Sequence, residues 1–352
     1  MMKRIIWKGP GFLAVEENGN LVEYCPSDAG NRNGEILLGR VDRMMPGMNC
    51  AFVDIGRKKN GFLPLSEDSA SFAGSGMRSG EMLILQVKKE ETGEKGAFLT
   101  RDITLPGELC ILMPMNRYTG VSSRIADEGT RERLRETGRR IAGGRFGLVM
   151  RNAAEDAEED AVRREAEAAF AVWHDILERA AAGGKPGMVL YGGDPLQRLR
   201  SDYAALGGAA VRECEELPAA LGTQLRQAAE RRVRLPGGGN IVIDRCEAMT
   251  VVDVNTASAA ALSSKERTVT ETNLEACEAV VRQIRLRNLA GIIIIDFIDM
   301  EVETDQSLVL TKLEECFRSD RVKTIIHGWT RLGLVEMTRK RTGREIGNQN
   351  SE

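Results

Sequence analysis

A chain of 352 residues, 42% hydrophobic and 29% charged, is long enough for two or three domains with sizeable cores, and this composition excludes a disordered or fibrous polypeptide. With 49 Lys and Arg against 52 Asp and Glu the net charge is −3, which excludes a uniformly basic coat and leaves nucleic-acid binding to a local patch. Seven cysteines, no two closer than 25 positions, exclude a CxxC zinc knuckle and argue against a secreted disulfide scaffold. A reducing, cytoplasmic location is therefore expected. The 12 Lys are outnumbered by 37 Arg, a bias that suits bidentate phosphate contacts and that base composition of the genome would also produce. The opening MMKRIIWKGPGFLAV lacks an apolar stretch of signal-peptide length, and the most apolar run, Gly291 to Ile295, is far too short to span a membrane.

In chain order, residues 1–34 read as short strands broken by the turn signals Asn18-Gly19 and Gly30-Asn31. Residues 35–105 are strand-rich (EILLGRVDRM, NCAFVDIG, GFLPL, MLILQVKKE, GAFLTRDI), which fits a small antiparallel barrel. The polar Gly/Ser tract at 66–80 reads as a loop. Between Ala153 and Ala182, Val162, Ala166, Phe170, Trp173 and Leu177 step by three or four and predict one apolar helix face, stopped by GGKPG at 183–187. A short strand (MVLYG) and Ala/Leu/Arg-rich helical sequence fill 188–230. RRVRLPGGGNIVIDR then reads as a hairpin, AMTVVDVN as a strand, and 256–272 as a polar loop. Thr272 or Asn273 would cap a helix reaching about Asn288, and GIIIIDFIDM follows as a fully buried strand. Strand, helix and strand make a βαβ unit, so the two strands are expected parallel and close.

That unit places Asp253 and Asp296 at the C-terminal ends of two apolar strands, where ligands bind in open α/β sheets. Carboxylates brought side by side repel unless one is protonated or a cation lies between them, and oxygen-only ligands select Mg²⁺ or Mn²⁺. Asn255, two residues past Asp253, points to the same face and would orient a carboxylate or donate to a phosphate. Solvated turn-capping aspartates would give the same spacing, and Asp244 and Asp299 are rivals for the pair. On the barrel, Phe52 and Phe62 with Arg57, Lys58, Lys59, Lys88, Lys89 and Lys95 suit a base-stacking platform, against the alternative that both rings are core. His174 and His327 lack metal-ligand spacing.

FVDIGRKKNGFLPLSE (52–67), LMPMNRYTGVSSRI (112–125), RLPGGGNIVIDRCEAMTVVDVNTA (234–257), TNLEACEAVVRQIRLRNLAGIIIIDFIDM (272–300) and LGLVEMTRKR (332–341) together resemble the ribonuclease E/G family of bacterial endoribonucleases. The likeness covers most of the chain in the family's order, with Asp253 and Asp296 43 positions apart. It implies an α+β, multi-subdomain fold. An S1-type OB-fold barrel (35–105) would be inserted in a ribonuclease-H-like piece (1–34 with 188–230, shortened over 204–230). A 5′-sensor-like subdomain (106–187) and a DNase-I-like α/β nuclease subdomain (231–352) would follow. Asp253 and Asp296 match the family's two Mg²⁺-binding carboxylates, and Asn255 its active-site asparagine. Phe52, Phe62, Lys95 and Arg124 match RNA contacts. Arg151 matches the 5′-monophosphate pocket, where Asn152 replaces a threonine and Lys323 stands where an arginine can serve; Ser123 replaces a second arginine beside Arg124. The resemblance stops before the family's Cys-Pro-x-Cys zinc-link and dimerisation domain, so no zinc is expected and the family's dimer is not assumed. The activity implied is Mg²⁺-dependent cleavage of single-stranded RNA, rRNA precursors or mRNA, leaving a 5′-phosphate; a non-catalytic RNA-binding protein using the barrel is the alternative.

Overall fold

The computed structural model describes residues 3–26, 32–65, 77–91, 95–192, 194–204, 206–256, 265–342 and 345–346. They fall into two units, Met1–Ala29 with Ala209–Glu352, and Gly30–Gly208. The turn signal Gly30-Asn31, and residues 66–76 and 257–264 of the two expected polar loops, lie wholly or partly outside the described residues.

The first unit opens with β1 (Arg4–Gly9), β2 (Phe12–Glu17) and β3 (Asn20–Pro26), paired antiparallel. Asn18 and Gly19 take φ of 50° and 86°, the two positive angles a type I′ hairpin turn demands.

The second unit contains the expected barrel. Strands β4 (Ile36–Met45), β5 (Cys50–Asp54), β6 (Gly61–Pro64), β7 (Met82–Lys89) and β8 (Phe98–Thr100) run in the order β4-β5-β6-β8-β7, and a β4–β7 pairing closes the ring; the pairing is antiparallel as expected except between β6 and β8, which run parallel. Closure removes both edges and encloses a core of Leu37, Val41, Val53, Leu63, Leu85 and Leu99. A small sheet follows from β9 (Leu105–Pro106), β10 (Cys110–Met113), β11 (Thr119–Val121) and, after helix α1 (Glu128–Ala142), β12 (Gly147–Met150). Helix α2 (Glu159–Ala181) buries Val162, Ala166, Trp173 and Ile176. The helix starts later than its apolar pattern suggested because Asn152–Ala154 form a 3-10 turn, and Leu177 is 38% exposed, Ile176 being buried instead. Strand β13 (Val189–Tyr191) adds to β4 of the barrel, and helix α3 (Pro195–Ala204) ends the unit.

Returning to the first unit, β14 (Ala210–Glu213) pairs parallel with β1, and helix α4 (Ala219–Gln227) packs on β3 through Leu221. A six-stranded sheet follows in the order β15-β16-β17-β18-β20-β19, from β15 (Arg232–Arg234), β16 (Asn240–Arg245), β17 (Met249–Asn255), β18 (Gly291–Asp296), β19 (Thr324–Trp329) and β20 (Val335–Arg339). Helices α5 (Lys265–Leu286) and α6 (Glu303–Phe317) join its core through Val280, Ile284, Val309 and Leu313, beside Ile241, Val252, Ile293, Ile295 and Met337.

Two expectations are corrected here. Helix α5 begins at Lys265, so Asn273 stands inside it rather than capping it. Strand β18 is buried on one face only: Ile293 and Ile295 face the helices, whereas Ile292 is 46% exposed, because among the described residues α5 and α6 cover only that face. The result is a mixed α+β protein with a closed five-stranded barrel, consistent with an OB/S1-type fold. Among the described residues no helix is long and apolar enough to cross a membrane.

Candidate functional site

Strands β17 and β18 lie parallel, as the βαβ pattern required, and their register sets Asp253 directly opposite Asp296. Adjacent strands run about 4.8 Å apart, so the two carboxylates leave the same sheet face as neighbours. Both are exposed. The amide of Asn255 donates to Oδ2 of Asp253 at 2.8 Å, which fixes one carboxylate. Partial burial and the like charges of Asp253 and Asp299 push the Asp296 carboxyl above its ordinary value. A cation between the two carboxylates would relieve that repulsion, and the donor set of carboxylate and amide oxygens fits a hard divalent ion. The rival Asp244 is opposite Val251, two residues before Asp253, and forms an ion pair with Arg231.

A residue not singled out from the sequence holds the loop beyond Asp296. Asn273, fully buried on α5, donates to the carbonyl of Ile298 at 2.9 Å and accepts from its N–H at 3.1 Å. A mid-helix asparagine is tolerated because its amide bonds outward to another segment instead of competing with its own helix.

On the barrel, Phe52 and Phe62 are opposite each other on β5 and β6 and are only half-buried, while Ala51, Val53, Gly61 and Leu63 beside them point inward. Both rings are therefore outside the barrel core. Lys95 is exposed just before β8. Gly96 is required there, since a Cβ would overlap the carbonyl oxygen of Asn60 where β8 docks on β6.

Arg151 follows β12, and its guanidinium is engaged within the protein. It donates to the carbonyls of Gly107 (2.9 Å) and Ser201 (2.7 Å) and to the Ser201 hydroxyl, with Asp202 at 3.9 Å. Burial foremost, and the positive charge of Arg124, lower its pKa against the opposing pull of Asp202 and Glu165. Arg124 is thus in the electrostatic neighbourhood of Arg151, with its own side chain exposed. The Oδ1 of Asn152 is buried with no hydrogen-bond partner among the described residues. Lys323 is exposed in the other unit. Ser201, and Glu165, which accepts from the backbone N–H groups of residues 108, 109 and 110, carried no signal in the sequence. His174 packs edge-on against Phe170, and His327 bonds to Thr338, so each is accounted for locally.

A model of the ribonuclease E/G family matches residues 104–211 and 218–342. Ribonuclease G of Haemophilus influenzae is 35% identical over 94% of this chain and 77% of its own length. Ribonuclease G of Escherichia coli K12 is 38% identical over 89% of this chain and 73% of its own length. Ribonuclease E of a Nostoc species is 34% identical over 95% of this chain and 55% of its own length.

Proposed function

The chain belongs to the ribonuclease E/G family, and on that footing we propose that it is an endoribonuclease of RNA processing or decay. Its reaction would cleave single-stranded RNA with a divalent metal and leave a 5′-phosphate on the downstream product. The observation that carries this is the in-register pair Asp253 and Asp296. Two carboxylates held side by side on one sheet face repel unless a cation lies between them, and a module that only binds RNA has no use for them. Asp253 and Asp296 would hold Mg²⁺ or Mn²⁺, and Asn255 orients Asp253 through its amide. When bound, such an ion polarises a phosphate and lowers the pKa of a coordinated water. The fold proposed around this pair is a DNase-I-like nuclease subdomain over 231–352, preceded by a ribonuclease-H-like piece of 1–34 with 188–230.

The barrel would grip unpaired RNA through Phe52, Phe62 and Lys95, since half-buried rings beside cations on a small barrel suit base stacking. Arg124 would contact RNA in the 106–187 subdomain, and Arg151 and Asn152 would receive a 5′-monophosphate. The deciding experiment incubates purified protein with a short 5′-monophosphorylated single-stranded RNA, with Mg²⁺ or with EDTA. Internal cleavage in Mg²⁺ alone is expected. Cleavage undiminished in EDTA would overturn the metal mechanism, and no cleavage in either would favour the RNA-binding alternative.

A further inference from the structure

Five strands of the barrel each place one residue in a single cross-strand row. In register these are Arg43 on β4, Phe52 on β5, Phe62 on β6, Phe98 on β8 and Lys89 on β7. Phe98 lies between buried Ala97 and Leu99, so strand alternation turns its ring outward like the other two. Phe52 and Phe62 meet edge to face with centroids 6.2 Å apart, and Phe62 and Phe98 meet at 5.6 Å. Lys89 Nζ is 5.8 Å from the centre of the Phe98 ring. Arg43 is exposed at the other end of the row. Three half-buried aromatic rings are thus flanked by a cation on each side.

We propose that Phe98 is a third base-binding position, so that the row holds three successive unpaired nucleotides, with Arg43 and Lys89 contacting the backbone at its two ends. This rests on the barrel being an RNA-binding surface, as proposed above. Exposed aromatic faces accept any base by stacking, and adjacent cations follow the phosphates. The ring spacing of 5.6–6.2 Å exceeds the roughly 3.4 Å between stacked bases of a helical strand. Bases engaging all three rings must therefore be pulled apart. A flexible single strand accommodates that spacing, whereas a duplex does not. Phe98 would thereby act as a selector for unstructured RNA as well as an affinity contact.

The test measures binding of the full chain to a short fluorescein-labelled oligouridylate in EDTA by fluorescence anisotropy. Phe98→Ala and Phe98→Leu should each weaken binding at least about fivefold. Phe98→Trp should retain or tighten it. The leucine variant keeps apolar bulk while losing the stacking face, and a thermal melt identifies folded protein. Lys89→Gln should reduce the slope of log affinity against log salt by about 0.7, the share of one phosphate contact on a single strand. Wild-type affinity in folded Phe98→Leu, with Phe52→Ala and Phe62→Ala both weakened, would overturn the third position and leave the barrel surface intact. Unchanged affinity in all three would overturn the barrel surface itself, and the third position with it.

Discussion

Asn273 closes two hydrogen bonds on the backbone of Ile298, two residues beyond Asp296, and so ties the exit of β18 to helix α5. The same helix makes the crossover that sets β17 beside β18. One element therefore fixes both the register of the carboxylate pair and the path of the chain after it. Asn273→Ala would leave a donor and an acceptor of Ile298 without partners, each costing about 1–3 kcal/mol if it stays dry. A lower urea midpoint and a fall in kcat larger than any rise in KM are expected. Unchanged kcat in a folded variant would mean that the loop keeps its position without the clamp.

Asp253→Asn or Asp296→Asn should lower kcat by roughly 10²-fold or more while RNA affinity, measured without turnover, is kept. Each substitution removes charge that would hold a divalent ion, without changing side-chain size. Loss of RNA binding in parallel with activity would instead mark the pair as part of the grip on RNA.

A second anchor of α5 gives a pH prediction. Glu17 on β2 is buried between Arg4, at 2.8 Å, and Arg285, at 2.8 and 2.9 Å. Burial alone would raise its pKa, but hydrogen bonds and charge from Arg285 and Arg4 outweigh it and hold the carboxyl below its ordinary value of 4.5. A depressed carboxyl stabilises the fold in full above its unfolded pKa and loses that contribution as pH falls through the folded one. Glu17→Gln should cost about 3–5 kcal/mol near neutrality. The gap between variant and wild type should narrow below about pH 4.5, read as urea midpoints across an acid series. A gap independent of pH would show that the carboxylate charge contributes nothing.

The parts of the molecule legible in the sequence are those governed by local period. Short strand-like segments with turns between them, among them FVDIG and GFLPL, gave the barrel strands, and the two apolar strands around α5 gave the parallel pair that joins Asp253 to Asp296. The continuous run GIIIID gave a strand but concealed its sidedness, because an unbroken apolar run carries no mark of which face a helix will cover. The interior position of Asn273 was equally hidden, since asparagine at a helix start and asparagine bonding across to another segment look alike in a sequence. Contacts 25 and 50 positions apart, Asn273 with Ile298 and Arg151 with Ser201, have no local signature at all.

The guanidinium of Arg151 raises the last prediction. A terminal monophosphate suits a guanidinium in bidentate contact, yet here that group already bonds to the Gly107 carbonyl and to both oxygens of Ser201. A 5′-monophosphate must share or displace those partners, while Asn152 adds a buried carboxamide whose Oδ1 has no partner among the described residues. A carboxamide presents its NH₂ as donor to an anion and not its oxygen. The expected result is a small preference: 5′-monophosphate RNA cut faster than 5′-hydroxyl RNA by about tenfold or less, roughly 1.4 kcal/mol. Arg151→Ala should abolish that preference and also lower the melting temperature, because the Ser201 carbonyl loses a buried donor at about 1–3 kcal/mol, while the Gly107 carbonyl still accepts from the Ser201 hydroxyl. Matched single-turnover rates on the two RNAs, with a melting curve for each protein, separate the two effects. If wild type cuts both RNAs equally and only the melting temperature of the variant falls, Arg151 is a structural tie between β12 and α3 and takes no part in reading the 5′ end.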